Sequence, residues 1–258
     1  MKHSFIRDTL VVAKNTFKES VRDKVFYALF AFAFITITFT LFLGSISLSE
    51  DVHVIRSLGM AGIYLFSILI TVFLGTALMY KEIERRTLYF ILSKPVTHAQ
   101  VVVGKFLGLF ASVALSTLGM TAVYLATVLY AGGGFDRLAL LAVFFEILEL
   151  GLLIALSIFF STFAKPLAGA VYAILVIYIG HSLGMLAAVS EKSGVLAHRF
   201  IQVLYYLLPN LEKFNIRDLV LYNQAPSLSA TLAVVLYAAV YATILLCGGT
   251  LLLKRREF

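Results

Sequence analysis

The sequence predicts an all-α polytopic membrane protein with six transmembrane helices. An amphipathic helix precedes the first span, a charged surface helix joins the second to the third, and short helices lie between the fifth and sixth. Three observations predict this. The 258-residue chain is 61% hydrophobic and 14% charged, with a mean hydropathy of +0.97, whereas globular domains are about half apolar and about a quarter charged. Six apolar runs are each long enough, at about 1.5 Å of helix rise per residue, to cross roughly 30 Å of hydrocarbon. Finally, the basic residues do not gather on one face with interleaved aromatics, as nucleic-acid binding requires, but flank the apolar runs. No polar segment is long enough to bury its own core, so residues 1–258 are read as a single membrane domain.

Residues 1–24 place Ile6, Leu10, Ala13, Phe17 and Val21 at helical spacing, with Arg7, Lys14, Lys18 and Arg22 elsewhere around the same helix. Such a helix is expected to lie flat at a membrane surface. Span one is residues 25–48. At about 25 residues it exceeds the roughly 7–15 of a signal-peptide core and is expected to be retained. A short polar turn carrying Glu50, Asp51, His53 and Arg56 leads to span two, residues 58–79.

Tyr80–Lys105 reads YKEIERRTLYFILSKPVTHAQVVVGK. Lys81, Glu82, Glu84, Arg85 and Arg86 crowd one and a half turns, Leu88, Ile91 and Leu92 follow, and Ser93-Lys94-Pro95 ends the pattern. This is a short amphipathic helix with its own terminator, too charged for hydrocarbon, suited to a membrane surface or a soluble partner.

Span three is residues 101–130, and Gly132-Gly133-Gly134 forms a turn. Span four, residues 138–163, carries two carboxylates, Glu146 and Glu149. Ala164-Lys165-Pro166 is a tight turn into span five, residues 167–189, which contains His181. In Ser190–Ser227 the apolar residues Phe200, Val203, Leu204, Leu207 and Leu208 recur at helical spacing until Pro209-Asn210, predicting a helix on the outer surface or a partly re-entrant one. Span six is residues 228–253, anchored by Lys254-Arg255-Arg256. Of the 21 Lys and Arg, 15 fall on the side of the two termini and 6 (Arg56, Arg137, Lys192, Arg199, Lys213 and Arg217) on the other. The positive-inside bias therefore places both termini and Tyr80–Lys105 in the cytoplasm.

The stretch Glu82–Lys105 resembles the first cytoplasmic loop of ABC-2 type transporter permeases. The shared motifs are Glu82, Glu84, Thr87-Leu88, Leu92-Ser93-Lys94-Pro95-Val96-Thr97 and Gly104-Lys105, with Arg86 standing where the family usually has Gly and His98 where it usually has Arg. The run KEIERRTLYFILSKPV is most similar to the prokaryotic multicopper-enzyme-maturation, NosY-like group, although the chain has no Met or Cys array to hold copper. The resemblance implies an elbow helix at the N-terminus and a coupling helix that meets a separate ATPase subunit through Glu82, Glu84, Arg85, Arg86, Thr87, Leu88, Leu92 and Pro95. It also implies a homodimer or a pair with a sister permease, in the plasma or inner membrane, moving a substrate or transmitting ATP-driven motion.

No G-x-x-x-x-G-K-[S/T] phosphate loop occurs, so ATP and Mg²⁺ are expected on the partner ATPase, with no cofactor in this chain. No H-E-x-x-H or His/Cys cluster occurs, Cys247 stands alone, and the five histidines are scattered, so neither a metal site nor an intramembrane enzyme is expected. Glu146 and Glu149, three apart, project from nearly one face of span four at a depth of roughly 12–17 Å. A carboxylate there is costly unless paired, protonated or hydrated. With His181 they are candidates for a cavity or gate, against the structural alternative of a buried hydrogen bond to a neighbouring helix, which for His181 is the favoured one. They also motivate a rival reading as a proton-coupled secondary transporter, against which no inverted repeat or broken-helix pair is evident.

In a Cys247→Ser background, a cysteine at Lys192 should react with an impermeant maleimide applied to intact cells, and one at Lys94 should not. The reverse pattern would overturn the topology.

Overall fold

The computed structural model describes residues 5–46, 51–84, 96–190, 195–216 and 224–255. All regular structure among them is helical: α1 (Phe5–Arg22), α2 (Lys24–Ile46), α3 (Asp51–Glu84), α4 (His98–Tyr130), α5 (Arg137–Ser161), α6 (Pro166–Ser190), α7 (Val195–Leu207), a 3-10 turn (Leu211–Phe214) and α8 (Leu228–Arg255). Six of these, α2 to α6 and α8, are long and apolar enough to cross a membrane. Six crossings return the chain to the side on which it began. We call that end of the bundle the terminal face, and the end carrying α7 the distal face.

The centre of the bundle is α5. Every residue from Glu149 to Ile158 is buried, and the helix packs on α3, α4, α6, α8 and the 3-10 turn. A helix that is apolar all round belongs in such a place. Without a hydrophobic drive between helices in lipid, close approach of small residues supplies the contact. A Cβ on Gly75 of α3 would stand 2.6 Å from Ser157 Cβ of α5, and one on Gly151 would stand 3.0 Å from the Phe110 ring of α4.

The same rule describes how α1 docks. Ile6 and Leu10 of its apolar stripe point outward, 69% and 57% exposed, while Ala13 of the stripe and Thr9, Thr16 and Ser20 beside it are buried. They lie along α4, where Gly104 and Gly108 form a smooth strip. A Cβ on Gly104 would stand 2.7 Å from Val12 Cβ and 2.9 Å from Thr9 O, and one on Gly108 would stand 2.5 Å from Ala13 O. Gln100 Nε2 donates to Phe5 O at 3.4 Å, and Lys105 is buried beside the joint.

Two element boundaries also differ from expectation. The polar turn before span two is helix from Asp51 onward. Ile55 packs into the core, and Arg56 is used locally, its Nε lying 3.7 Å from Asp136 Oδ2 and its Nη2 donating to Gly134 O at 3.4 Å. At the other end, α3 runs on through Tyr80 to Glu84, so the charged stretch begins as a continuation of the span and not as a separate helix. The chain re-enters the bundle at a capping box. Gln100 N donates to Thr97 Oγ1 at 3.3 Å and Thr97 N to Gln100 Oε1 at 2.7 Å, which starts α4 at His98.

Replacing Gly108 with Leu should force α1 off α4 at a cost of about 1–3 kcal/mol, the usual range for overpacking. Amide hydrogen exchange across Thr9–Ser20 should accelerate, while α5 stays protected. Unchanged exchange there would show that the joint does not depend on the glycine strip.

Candidate functional site

Between the distal face and the middle of the bundle, the structure gathers polar groups from four elements. Glu146 and Glu149 come from α5, His181 from α6, Tyr64 from α3, and Glu212 from the 3-10 turn. Glu149 lies about 12 residues into α5, roughly 18 Å along its axis. Tyr64 OH stands 2.9 Å from Glu149 Oε1 and 2.6 Å from His181 Nε2, and His181 Nε2 is 2.9 Å from the same carboxylate oxygen. The other ring nitrogen, Nδ1, is 3.4 Å from Glu212 Oε2, and Asn215 Nδ2 donates to Glu212 Oε1 at 3.1 Å. Tyr64, Glu146, Glu149, His181 and Asn215 border a cavity of about 140 Å³, whose lining is completed by Ala142, Phe214 and Ile216.

The cluster depends on a plug. After α7 the chain turns at Leu208-Pro209-Asn210 and enters the bundle, with Leu211, Phe214 and Ile216 all buried. The expected amphipathic helix is α7, whose Phe200, Val203 and Leu207 are exposed, and it is the segment after it that is buried in the bundle. Gly180 of α6 admits the plug: a Cβ there would stand 2.8 Å from Pro209 O and 2.9 Å from Leu211 Cγ. The next residue, His181, reaches across to Glu212.

Irregular backbone inside a membrane protein has to find its hydrogen bonds within the protein. Here span six supplies them. Tyr241 OH donates to Leu207 O at 2.5 Å, closing the end of α7, and Asn210 N donates to Tyr237 OH at 2.8 Å. Lys213 Nζ lies 4.3 Å from the centre of the Tyr237 ring, a cation–π contact, and Phe214 packs 6.2 Å from the same ring.

The structure thus brings together the three residues singled out for a cavity or gate. Glu146 and Glu149 are 4% and 2% exposed and turn into the protein, and His181 bonds to Glu149. Sequence reasoning missed Tyr64, Glu212 and Asn215. A tyrosine deep inside span two, where an interfacial belt would not place one, was the available signal for Tyr64. For the other two it was the phrase LLPNLEKFNI (Leu207–Ile216), whose Pro-Asn break precedes a charged pair. Of the second predicted group, the coupling stretch, the described part stands apart from this cluster. Glu82 and Glu84 belong to the last turn of α3, and Arg85, Arg86, Thr87, Leu88, Leu92 and Pro95 lie outside the described residues. Among the described residues, no set of three or more His, Cys, Asp or Glu side chains is arranged to hold a metal ion.

Chemically, the imidazole is placed to bond with both ring nitrogens. When both donate, the ring is the imidazolium and ties Glu149 to Glu212. When it is neutral, one of the two carboxylates loses the bond from the ring and keeps its other donor, Tyr64 for Glu149 or Asn215 for Glu212.

A family model described as "ABC-2 family transporter protein" matches residues 10–258. No curated protein matches the chain.

Tyr237→Phe keeps the ring under Lys213 but removes the acceptor for Asn210 N–H. The plug should loosen by about 1–3 kcal/mol, the cost of one buried unsatisfied donor. Faster amide exchange confined to residues 207–216 is the expected readout, and wild-type exchange there would show that the hydroxyl does not hold the plug.

Proposed function

The chain belongs to the ABC-2 family of transporter proteins, a membrane permease by that membership, and from this premise we propose that it couples ATP hydrolysis on a separate ATPase subunit to motion of its distal face. ATP and Mg²⁺ are bound by that subunit. The permease pairs with a second copy of itself or a sister chain in the plasma or inner membrane, with both termini in the cytoplasm. The coupling element is the charged stretch from Glu82 through Pro95, in which an apolar stripe between charges suits a groove on a soluble protein. The cavity bordered by Glu146, Glu149 and His181 is the gate.

The observation that supports this reading best is the continuity of α3. One helix of 34 residues carries Tyr64 in the buried cluster and ends at Glu84 in the charged stretch, about 30 Å further along its axis. A helix of that length moves as a rod, so a push on its terminal-face end displaces the Tyr64 hydroxyl that touches both Glu149 and His181. The other end of the charged stretch is equally firm: α4 begins at a capping box and is clamped by α1 over Gly104 and Gly108.

Glu82→Lys together with Glu84→Lys should leave the protein inserted and helical but weaken its complex with the ATPase. Like-charge contacts at an interface cost several kcal/mol, so the dissociation constant should rise by about 100-fold or more. Co-purification of the ATPase and its substrate-dependent hydrolysis are the measurements. A doubly reversed variant with wild-type co-purification and hydrolysis would remove this stretch from coupling.

A further inference from the structure

One imidazole stands between a half-exposed carboxylate and a buried one. Side-chain exposure falls from 50% at Glu212 through 24% at His181 to 2% at Glu149. The links are 3.4 Å at Nδ1 and 2.9 Å at Nε2. We propose that Glu212, His181 and Glu149 form a proton relay through which the medium at the distal face loads and unloads the buried carboxylate of the cavity.

The steps balance without an external reagent other than a proton from water. Glu212, protonated from the medium, gives its proton to His181 Nδ1. The ring, now an imidazolium, gives its Nε2 proton to Glu149 Oε1. The result is a neutral carboxylic acid at Glu149, a neutral imidazole carrying hydrogen on Nδ1, and a Glu212 carboxylate open to the medium again. Unloading runs these steps backwards and restores the starting tautomer, so reversible loading needs no ring flip. Histidine suits the middle position because its two nitrogens serve as separate ports and its charge changes near neutral pH.

The groups that set this equilibrium are few. From α3 comes Tyr64, whose hydroxyl touches both Nε2 and Glu149 Oε1. From α5 comes Glu146, and from the plug Glu212, held by Asn215. The plug's cation, Lys213, is turned to the Tyr237 ring of α8. Among the described residues, α4, α7 and α8 contribute nothing to the cavity lining.

Loading has a structural consequence. An ionised carboxylate at this depth needs a charged or donating partner, and a neutral acid does not. Loading Glu149 neutralises it and moves the ring hydrogen from Nε2 to Nδ1, so the ring's donation shifts from Glu149 to Glu212, and the charge of the cavity and the seating of the plug change together. This inference rests on the reading of the cavity as a working site.

The test uses the full chain in lipid nanodiscs, followed by time-resolved infrared difference spectroscopy after a rapid drop in pH. A carboxylic C=O band should rise in the wild type and vanish in Glu149→Gln. In His181→Gln, which keeps hydrogen-bonding groups but carries no proton, the band should still form but about 100-fold or more slowly, the scale of effect of a positioned proton carrier. Glu212→Gln should also slow it. Circular dichroism and gel filtration check that each variant folds; if His181→Gln fails them, Glu212→Gln decides. A band that rises at the wild-type rate in the folded variants, or the absence of any Glu149-dependent band, would overturn the relay. No ATPase or transported substrate is present, so that failure would leave the transporter reading standing, and a failure of the ATPase to co-purify would not touch this result.

Discussion

The constraint on which this structure depends is that α5 carries carboxylates into the middle of an apolar bundle. An ionised group there is costly unless partners come to it, and they come from three other elements: Tyr64 from α3, His181 from α6 and, beyond the histidine, Glu212 from the plug. Each partner has in turn fixed something nearby. Reaching His181 requires Gly180 to leave room for the plug backbone. Seating the plug requires two tyrosine hydroxyls from α8. The re-entrant segment is therefore the outer part of a polar network whose root is Glu149.

The terminal face is organised by a different interaction, the close packing of small residues. α1 meets α4 through Thr9, Ala13 and Thr16 against Gly104 and Gly108, and α3 meets α5 where Gly75 faces Ser157. Buried hydroxyls here are satisfied on their own helices, as where Ser112 of α4 donates to Gly108 O and Thr76 of α3 to Val72 O. Polar residues at this end thus make smooth surfaces, while those at the distal face make a network. The two regimes are joined by α3, which takes part in both.

What was legible in the sequence follows from what each signal measures. Length and apolarity reveal spans, because crossing hydrocarbon imposes both, and the six long apolar helices of the structure lie where the six runs were read. The i, i+3 spacing of Glu146 and Glu149 gave them a shared face, and the cost of charge in lipid turned that face inward. For α1 amphipathicity marked the helix but not the residues that pack, because in a membrane protein the large apolar side chains can be left for lipid while small ones, here Thr9, Ala13 and Thr16, meet the next helix. The polar turn before span two was misread for a similar reason: Asp51, His53 and Arg56 suggest a loop, but Arg56 has a partner 80 residues away, Asp136, that no local pattern announces. Tyr64 and Glu212 were missed on the same ground. Their importance lies in whom they meet, and single-chain periodicity is blind to meetings between distant elements.

The tyrosine clasp around the plug also bears on how the protein is made. Leu207 O and Asn210 N–H receive their partners from Tyr241 and Tyr237, residues of α8, which follows the plug in the chain. Until α8 is in the bilayer, the plug has no way to satisfy those groups away from water, so it has to wait outside the bundle while the first five spans assemble. Glu212 waits with it, and so the bridge from His181 closes only once α8 has been made. Biogenesis therefore has a built-in order: five spans come first, and the charged heart of the molecule is sealed when α8 joins them.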